Sequence, residues 1–252
     1  MRTEKCIYSC LAIILPLLST SCLDEGGNEI MLTSQPAVVK LVPEKVFLLK
    51  GGDKIYTEEM ESDPNLEEGD CGLADFVLDY SAAENIKNNV ENSGYYTASE
   101  AVFTELTKNG VNENLSDTGK VYSDERVVTT LYEKSTLLEQ NLFLFTNHSI
   151  QFDTKELDLS YNKGSEPEAE EDGKRVYNLF LRITGDSIGT QKEIKYNVFD
   201  LASFIATKSV VERQNGEDSL YFRINYVSAI KNDSVPSWAE SQNFAVSLSD
   251  EK

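Results

Sequence analysis

Residues 71–80 read Cys-Gly-Leu-Ala-Asp-Phe-Val-Leu-Asp-Tyr, and this stretch indicates the fold. Successive side chains of a β-strand point to opposite faces. One face would carry only apolar or aromatic side chains: Ala74, Phe76, Leu78 and Tyr80. The other face mixes Cys71, Leu73 and Val77 with Asp75 and Asp79. This alternation predicts a half-buried strand.

The residues around this strand are also rich in β signals. Residues 37–49 contain two β-prone pieces separated by Pro43, which suits an edge or a bend. Residues 54–56 predict a short strand, and the Asn-rich residues 81–94 predict a loop that can hold a helical turn.

Residues 95–109 allow two interpretations. Thr97 and Glu100 fit a helix capping box, followed by apolar residues at helical spacing. Tyr95, Tyr96 and Val102 suit a strand equally well. We predict a strand here.

The second half of the chain consists mainly of predicted strands. They cover 127–132, 142–146, 151–159, 177–183, 194–198, 220–226 and 243–248. Leu142 to Thr146 is apolar on both faces, which predicts a central strand. Asp200 can cap a short turn, and Asn215-Gly216 after Val210 and Val211 predicts a hairpin. Strands at short spacing with almost no helical period predict an all-β sandwich or barrel.

Turn-rich residues 110–119 predict a linker between two domains. We therefore divide the chain into a signal peptide (1–21), a tether (22–35), a first β domain (36–115) and a second β domain (120–252).

The N-terminus resembles a bacterial lipoprotein signal. Arg2 and Lys5 precede an apolar run that is too short to span a bilayer, and small residues lead into Cys22. Ser19 stands where such signals usually have leucine. Acylation of Cys22 would anchor the chain; the alternative is an ordinary signal with an incidental thiol. Asp24 and Glu25 resemble an acidic surface-export tag, or they belong to a solvated tether.

The charge excludes one class of partner. The chain has 23 Lys and Arg against 43 Asp and Glu. Cleavage after residue 21 removes Arg2, Lys5 and Glu4, which leaves a net charge of about −21. A field of that sign repels nucleic acid.

Cysteine and histidine usage limits the chemistry. Cys71 is the single cysteine that would stay unmodified after cleavage, so no intramolecular disulfide is expected, and we favour a buried thiol over a nucleophile. His148 is the only histidine, which argues against His-rich or Cys/His metal sites. We favour a surface or turn position for His148 over a role as a catalytic base, because no Gly-x-Ser-x-Gly motif is present in the sequence.

Three further sequence patterns could form a binding or modification site. The acidic loop 165–172 offers oxygen ligands for calcium but lacks EF-hand spacing, so solvated acids are favoured. Tyr95, Tyr96 and Trp238 would make a sugar-stacking platform if exposed, although aromatic residues at strand spacing are more often core. The Asp-Ser-apolar triplets beginning at residues 186, 218 and 233 resemble O-glycosylation acceptors of exported Bacteroides proteins.

Several pieces together resemble the NigD-like lipoproteins of Bacteroidetes. They are the box ending at Cys22 with its acidic tail, Gly69-Asp70-Cys71 before Phe76 to Tyr80, Gly94 to Ala98, and Phe199 to Ala202. The resemblance implies an N-terminal OB-like small barrel and a C-terminal β-sandwich. It supplies no catalytic residues. The family name comes from a bacteriocin cluster for which an immunity role was suggested.

We therefore expect a non-enzymatic lipoprotein, without cofactor or metal, anchored in the outer membrane and exposed at the surface. The alternative location is the periplasmic face. The expected role is a binding module for a glycan or an envelope protein. The alternatives are a fimbrial or envelope scaffold subunit, an immunity-type protein and, least favoured, a glycan hydrolase using scattered carboxylates.

Overall fold

The computed structural model describes residues 28–42, 44–115, 117–149, 155–185, 192–232 and 235–249. The predicted signal peptide, Cys22 and the triplets at 186 and 233 lie outside these residues. None of the described residues belongs to a helix long and apolar enough to cross a membrane.

The first domain is one six-stranded sheet. Its elements are β1 (Glu29–Lys40), β2 (Val46–Leu48), β3 (Lys54–Tyr56), α1 (Glu58–Glu61), β4 (Cys71–Asp79), a 3₁₀ turn (Ala83–Asn85), α2 (Lys87–Ser93), β5 (Tyr96–Thr97) and β6 (Ser99–Glu105). The strand order is β5-β3-β2-β1-β4-β6, and only β3 and β5 run parallel. The two outer strands β5 and β6 are consecutive in the chain and meet at Ala98.

The predicted small barrel is therefore open. No pairing of the described residues joins β5 to β6, so the sheet does not close on itself. The segment from Tyr96 to Glu105 instead pairs with β3 at one end and with β4 at the other. This arrangement matches the partly open barrel of OB folds.

The predicted strand at residues 71–80 is confirmed as β4, with one difference at each end. Ala74, Phe76 and Leu78 are buried in the core of the first domain. Tyr80 follows the last strand residue and is 44% exposed. Cys71 and Leu73, on the opposite face, are buried as well, because that end of β4 packs on the second domain.

The second domain consists of two packed sheets. Its elements are β7 (Lys108–Asn109), β8 (Val128–Leu131), β9 (Thr136–Leu138), β10 (Asn141–Ser149), β11 (Lys155–Ser160), β12 (Glu168–Ala169), β13 (Arg175–Gly185), β14 (Lys192–Asp200), α3 (Ala202–Gln214), β15 (Ser219–Lys231), β16 (Val235–Glu240) and β17 (Phe244–Ser247). One sheet has the order β7-β14-β10-β8, with β9 also paired to β10. The other has the order β11-β13-β15-β16, with β12 on β13 and β17 on β15.

The sandwich core lies between these sheets and under α3. It includes Leu142, Leu179, Phe199, Phe204 and Phe222, each at most 1% exposed. Strand β10 is central in its sheet, as predicted for residues 142–146.

The predicted hairpin at Asn215-Gly216 is wrong. Residues Ala202–Gln214 form a 13-residue helix, and Gly216 caps it in the left-handed conformation at φ 81°. Asp200 lies one residue before the N-cap Leu201, and its Oδ1 accepts a hydrogen bond from the Ala202 amide at 2.8 Å. Because the chain crosses over through α3, β13 and β15 run parallel instead of forming a meander.

The domain limits also differ from those predicted. Residues 29–35, which the sequence assigns to the tether, belong to β1. Strand β7, assigned to the first domain, pairs with β14 of the second. Residues 110–126, which include the turn-rich residues 110–119 predicted as a domain linker, connect β7 to β8 within the second domain, and we call them the linker.

A third cluster joins the domains. Val38, Cys71 and Leu73 of the first domain pack against a set of second-domain side chains: Leu138, Phe143, Phe145 and Val198. The ammonium of Lys40 lies 2.7 Å from a carboxylate oxygen of Glu139 beside this cluster. The two domains therefore share a continuous apolar interface.

Candidate ligand-binding cleft

The structure does not bring the three aromatic residues predicted as a platform together, because Trp238 lies in the second domain and the two tyrosines lie in the first. Tyr95 packs on Tyr56 with ring centroids 5.3 Å apart, and Tyr96 meets Tyr80 edge-on at 6.0 Å, all in the first domain. Trp238 lies on β16 of the second domain. A role of any of them in ligand binding stays a prediction.

Trp238 belongs to a stack of side chains on the outer face of the sandwich. The guanidinium carbon of Arg182 lies 5.1 Å from the Trp238 ring centroid and 4.4 Å from that of Tyr122. Phe180 meets Trp238 edge-on at 5.2 Å, and the indole nitrogen donates to the Thr118 carbonyl at 3.1 Å. Cation–π contacts of this kind fix the rings and the guanidinium relative to one another.

Arg182 holds the linker against β13. Its Nη1 donates to both carboxylate oxygens of Glu125, at 2.8 and 2.7 Å, and its Nη2 donates to the carbonyls of Asp117 and Lys120. The side chains of Arg182 and Glu125 are 1% and 0% exposed. The Nε of Arg182 is buried and has no hydrogen-bond partner among the described residues. A buried donor without a partner lowers the stability of the folded protein, and this one lies beside a cleft.

A cleft of about 710 Å³ opens between the linker and the outer face of β11 and β13. We call it the linker cleft; it is lined by Asn109, Tyr122, Asp124, Glu156, Leu157, Asp158, Arg182 and Thr184. The register places Asp158 opposite Arg182 and Glu156 opposite Thr184, so these four side chains share one face of the sheet. Tyr122 and Asp124 come from the linker, which Arg182 fixes in place.

The electrostatics of the linker cleft are dominated by acids. Asp124 and Glu156 contribute two carboxylates, Asp158 contributes a third that has an interaction partner of its own, and the charge of Arg182 is balanced by Glu125. Carboxylates repel anions and accept strong hydrogen bonds from hydroxyl groups. Within the described residues, no three His, Cys, Asp or Glu side chains converge in a way that could hold a metal ion.

The acidic loop 165–172 is tied into the sheet. Glu168 and Ala169 form β12, and Arg223 makes ion pairs with Glu168 at 2.5 Å and with Glu170 at 3.2 Å. Glu170 also accepts a hydrogen bond from the amide nitrogen of Asn243 at 2.9 Å. These carboxylates therefore stabilise the edge of the sheet through their basic and amide partners.

Cys71 is buried, as expected. It is 1% exposed, and its thiol donates to the Gly69 carbonyl at 3.5 Å. Burial raises the pKa of this thiol to about 11, and nearby Lys108 offsets only part of the effect. A thiol that stays protonated at neutral pH is a poor nucleophile. The backbone of His148 lies in β10, opposite Glu193.

A second polar cluster lies beneath α3, whose buried side chains include the charged residues Lys208 and Glu212. The carboxylate of Glu212, which is 0% exposed, accepts hydrogen bonds from Tyr177 at 2.7 Å and from Arg175 at 3.0 Å. Lys208 donates to the carbonyls of Lys163 and Ser165, and burial lowers its pKa. Burial, followed by the hydrogen bond to Glu212, raises the pKa of Tyr177. The charged groups of this cluster have partners inside the fold.

Sequence reasoning missed Tyr122, Glu125 and Arg182. Arg182 stands between Leu181 and Ile183 in an alternating strand, which predicts only an outward-facing side chain. Its partner Glu125 is 57 positions away in the chain, beyond any local pattern. The one available signal was Trp238, the single tryptophan, which does contact this group.

Comparison with known proteins identifies the first domain. Residues 27–103 match the family of lipoprotein OB domains. The first domain is similar to lipoprotein OB domains over these residues. The match covers β1 to most of β6 and confirms the lipoprotein resemblance seen in the sequence. A lipoprotein family indicates a membrane-associated location in the cell envelope. No curated protein matches the sequence significantly.

Most of this chain superimposes on solved structures. A protein from Parabacteroides merdae, 21% identical, superimposes with a TM-score of 0.72 and covers 87% of this chain and 100% of its own. A candidate lipoprotein from Bacteroides fragilis, 8% identical, gives 0.55 over 88% and 100%. A NigD-like immunity protein from Bacteroides caccae matches at 10% identity, 86% and 96% coverage and 0.44. The first two likenesses show a common fold.

Proposed function

We propose that the protein is a lipoprotein acylated at Cys22 and exposed at the surface of the outer membrane. In this proposal it acts without catalysing a reaction, and its linker cleft binds an uncharged glycan. The observation that carries the proposal is the linker cleft itself, in which a fixed aromatic ring and three carboxylates surround one cavity.

The anchor is supported by the sequence and by the family match. A basic start, a short apolar run and small residues before Cys22 agree with a lipoprotein signal. The OB domain that follows belongs to a lipoprotein family. Several acyl chains on one residue hold a protein firmly to a bilayer.

The glycan is supported by the chemistry of the lining. Tyr122 is 36% exposed and is held by Arg182, so it offers a rigid aromatic surface at little cost in side-chain entropy. Asp124, Glu156 and Asp158 can accept hydrogen bonds from sugar hydroxyls. The lining combines the ring of Tyr122 and Leu157 with polar groups that can fix the orientation of a ligand.

The charge of the cleft favours an uncharged ligand. Sulfated or uronic-acid glycans would bring anions beside the carboxylates of Asp124 and Glu156, and the buried guanidinium already pairs with Glu125. Like charges in contact cost several kcal/mol, on the order of a thousandfold in affinity.

A glycan array followed by calorimetry tests this proposal. We expect uncharged oligosaccharides to bind and charged ones to fail. Tyr122→Ala should weaken binding by about tenfold or more, since one stacked ring contributes roughly 1–3 kcal/mol in comparable aromatic stacking. Glu156→Gln, an exposed carboxylate whose loss should not affect folding, should weaken binding by several-fold.

Matched variants keep the test specific. Tyr80→Ala removes an equally exposed tyrosine in the other domain, and Glu91→Gln removes an exposed carboxylate on α2. Both should bind as the unaltered protein does. Absence of any bound glycan, or equal losses for Tyr122→Ala and Tyr80→Ala, would overturn the proposal. A scaffold role would appear instead as higher-order assembly of the native protein.

A further inference from the structure

We infer that the end of the first sheet nearest Cys22 rests on the lipid bilayer when the protein is anchored. Three large side chains at this end remain exposed: Ile30 at 48%, Met31 at 68% and Tyr80 at 44%. The Tyr80 amide donates to the Asn28 carbonyl at 3.3 Å, so the start of β1 and the end of β4 are adjacent. We call Ile30, Met31 and Tyr80 the β1–β4 tip.

The β1–β4 tip lies on an open strand edge. Within the described residues, Glu29 to Pro36 pair with β4 alone, because the pairing of β1 with β2 begins at Val38. An open edge that carries large apolar side chains normally needs a covering surface. The register places Ile30 opposite Leu78 and Met31 opposite Val77, so apolar groups project on both faces of this edge.

The length of chain before β1 identifies what covers the tip. This step rests on the proposed acylation of Cys22. Asn28 lies six positions after Cys22, and a fully extended chain spans at most about 3.6 Å per residue. The start of β1 is therefore held within about 22 Å of Cys22, so the surface of the bilayer lies within reach of the tip. No other surface would be kept so close at all times.

The charges around the tip limit how deeply it enters. Glu29 and Asp79 lie opposite each other in the register and border the tip. Two carboxylates at this position favour contact at the interface and oppose burial in the hydrocarbon. They also favour an uncharged lipid over an anionic one.

Hydrogen exchange on tethered protein tests this contact. The mature chain is coupled through Cys22 to a maleimide lipid in phosphatidylcholine vesicles; Cys71, being 1% exposed, should not compete. We expect amide exchange in residues 29–35 to slow by at least fivefold relative to the same protein free in solution. The peptide covering α3 should exchange at the same rate in both states.

Variants distinguish bilayer contact from tethering alone. A double substitution, Ile30→Ser with Met31→Ser, should abolish the slowing, whereas Val210→Ser, which removes an exposed apolar side chain of α3, should retain it. Equal exchange on and off vesicles, equal slowing in the double variant, or slowing in solution at high protein concentration would overturn the inference. Natural acylation is measured separately by labelled palmitate, so failure of the anchor is distinguishable from failure of the contact.

Discussion

Arg182 and Glu125 form a buried ion pair in which one guanidinium nitrogen donates to both carboxylate oxygens, at 2.8 and 2.7 Å. Glu125 lies in the linker, and Arg182 lies in β13. The pair therefore fixes the segment that connects β7 to β8 and forms one wall of the linker cleft.

Glu125→Gln should destabilise the protein by about 3 kcal/mol, because it leaves a buried guanidinium without its counter-charge. Urea unfolding measures the change. Glu91→Gln is the matched control: it breaks an exposed pair with Lys87 at 3.7 Å and should cost less than about 0.5 kcal/mol. Similar losses for the two variants would contradict the structural role of the buried pair.

Phe143→Ala should destabilise both domains together. Phe143 is 1% exposed and packs on Cys71 and Leu73 across the domain interface. Removing a buried phenyl ring costs about 3–5 kcal/mol. Calorimetry should show one transition for the unaltered protein and one, at lower temperature, for the variant. Two separate transitions, with only the second domain affected, would show that the interface does not couple the domains.

Stability should fall at alkaline pH because of Cys71. Burial raises its pKa from 9.0 to about 11, so the folded state keeps a proton that the unfolded state releases. The resulting stabilisation is fully present below pH 9 and is lost as the pH rises from about 9 to 11. Between pH 8 and pH 11 the unaltered protein should lose on the order of 2 kcal/mol more than Cys71→Ala. Parallel curves for the two proteins would show that the thiol does not contribute.

Gly216→Ala should cost about 1 kcal/mol, because φ is 81° there and alanine is strained in this conformation. A Cβ at this position would meet no atom within 4 Å, so the cost is conformational alone. Gly110→Ala, also in open space and without a positive φ, is the matched control and should be near neutral. Thermal unfolding compares the two variants, and equal melting temperatures would contradict the left-handed cap.

The strands could be predicted because their alternation is local. In β4, for example, the alternating positions of Phe76 and Leu78 predict the burial that the structure shows. Helix α3 could not be predicted, because its buried side chains are Phe204, Lys208, Ser209 and Glu212, and three of these are polar or charged. Such a helix face does not show apolar residues repeating at helical spacing. The Asn-Gly pair then suggested a hairpin, although glycine in the same conformation also ends helices.

The cleft could not be predicted because its parts are far apart in the chain. Tyr122 and Asp124 meet Glu156 and Arg182 only when the linker folds over the outer face of the sandwich. The linker composition indicated a connection between domains but not the surface on which it lies. Its position depends on the buried pair of Glu125 and Arg182, and a single sequence does not reveal pairing at that separation.

The mass of the N-terminal peptide from protein purified out of native membranes tests the central claim most directly. We predict that the mature chain begins at Cys22 and that this residue carries fatty acyl groups, whereas Cys22→Ser remains uncleaved or is released from the membrane. A mature chain that begins at another residue, or an unmodified Cys22 in membrane-bound protein, would contradict the account.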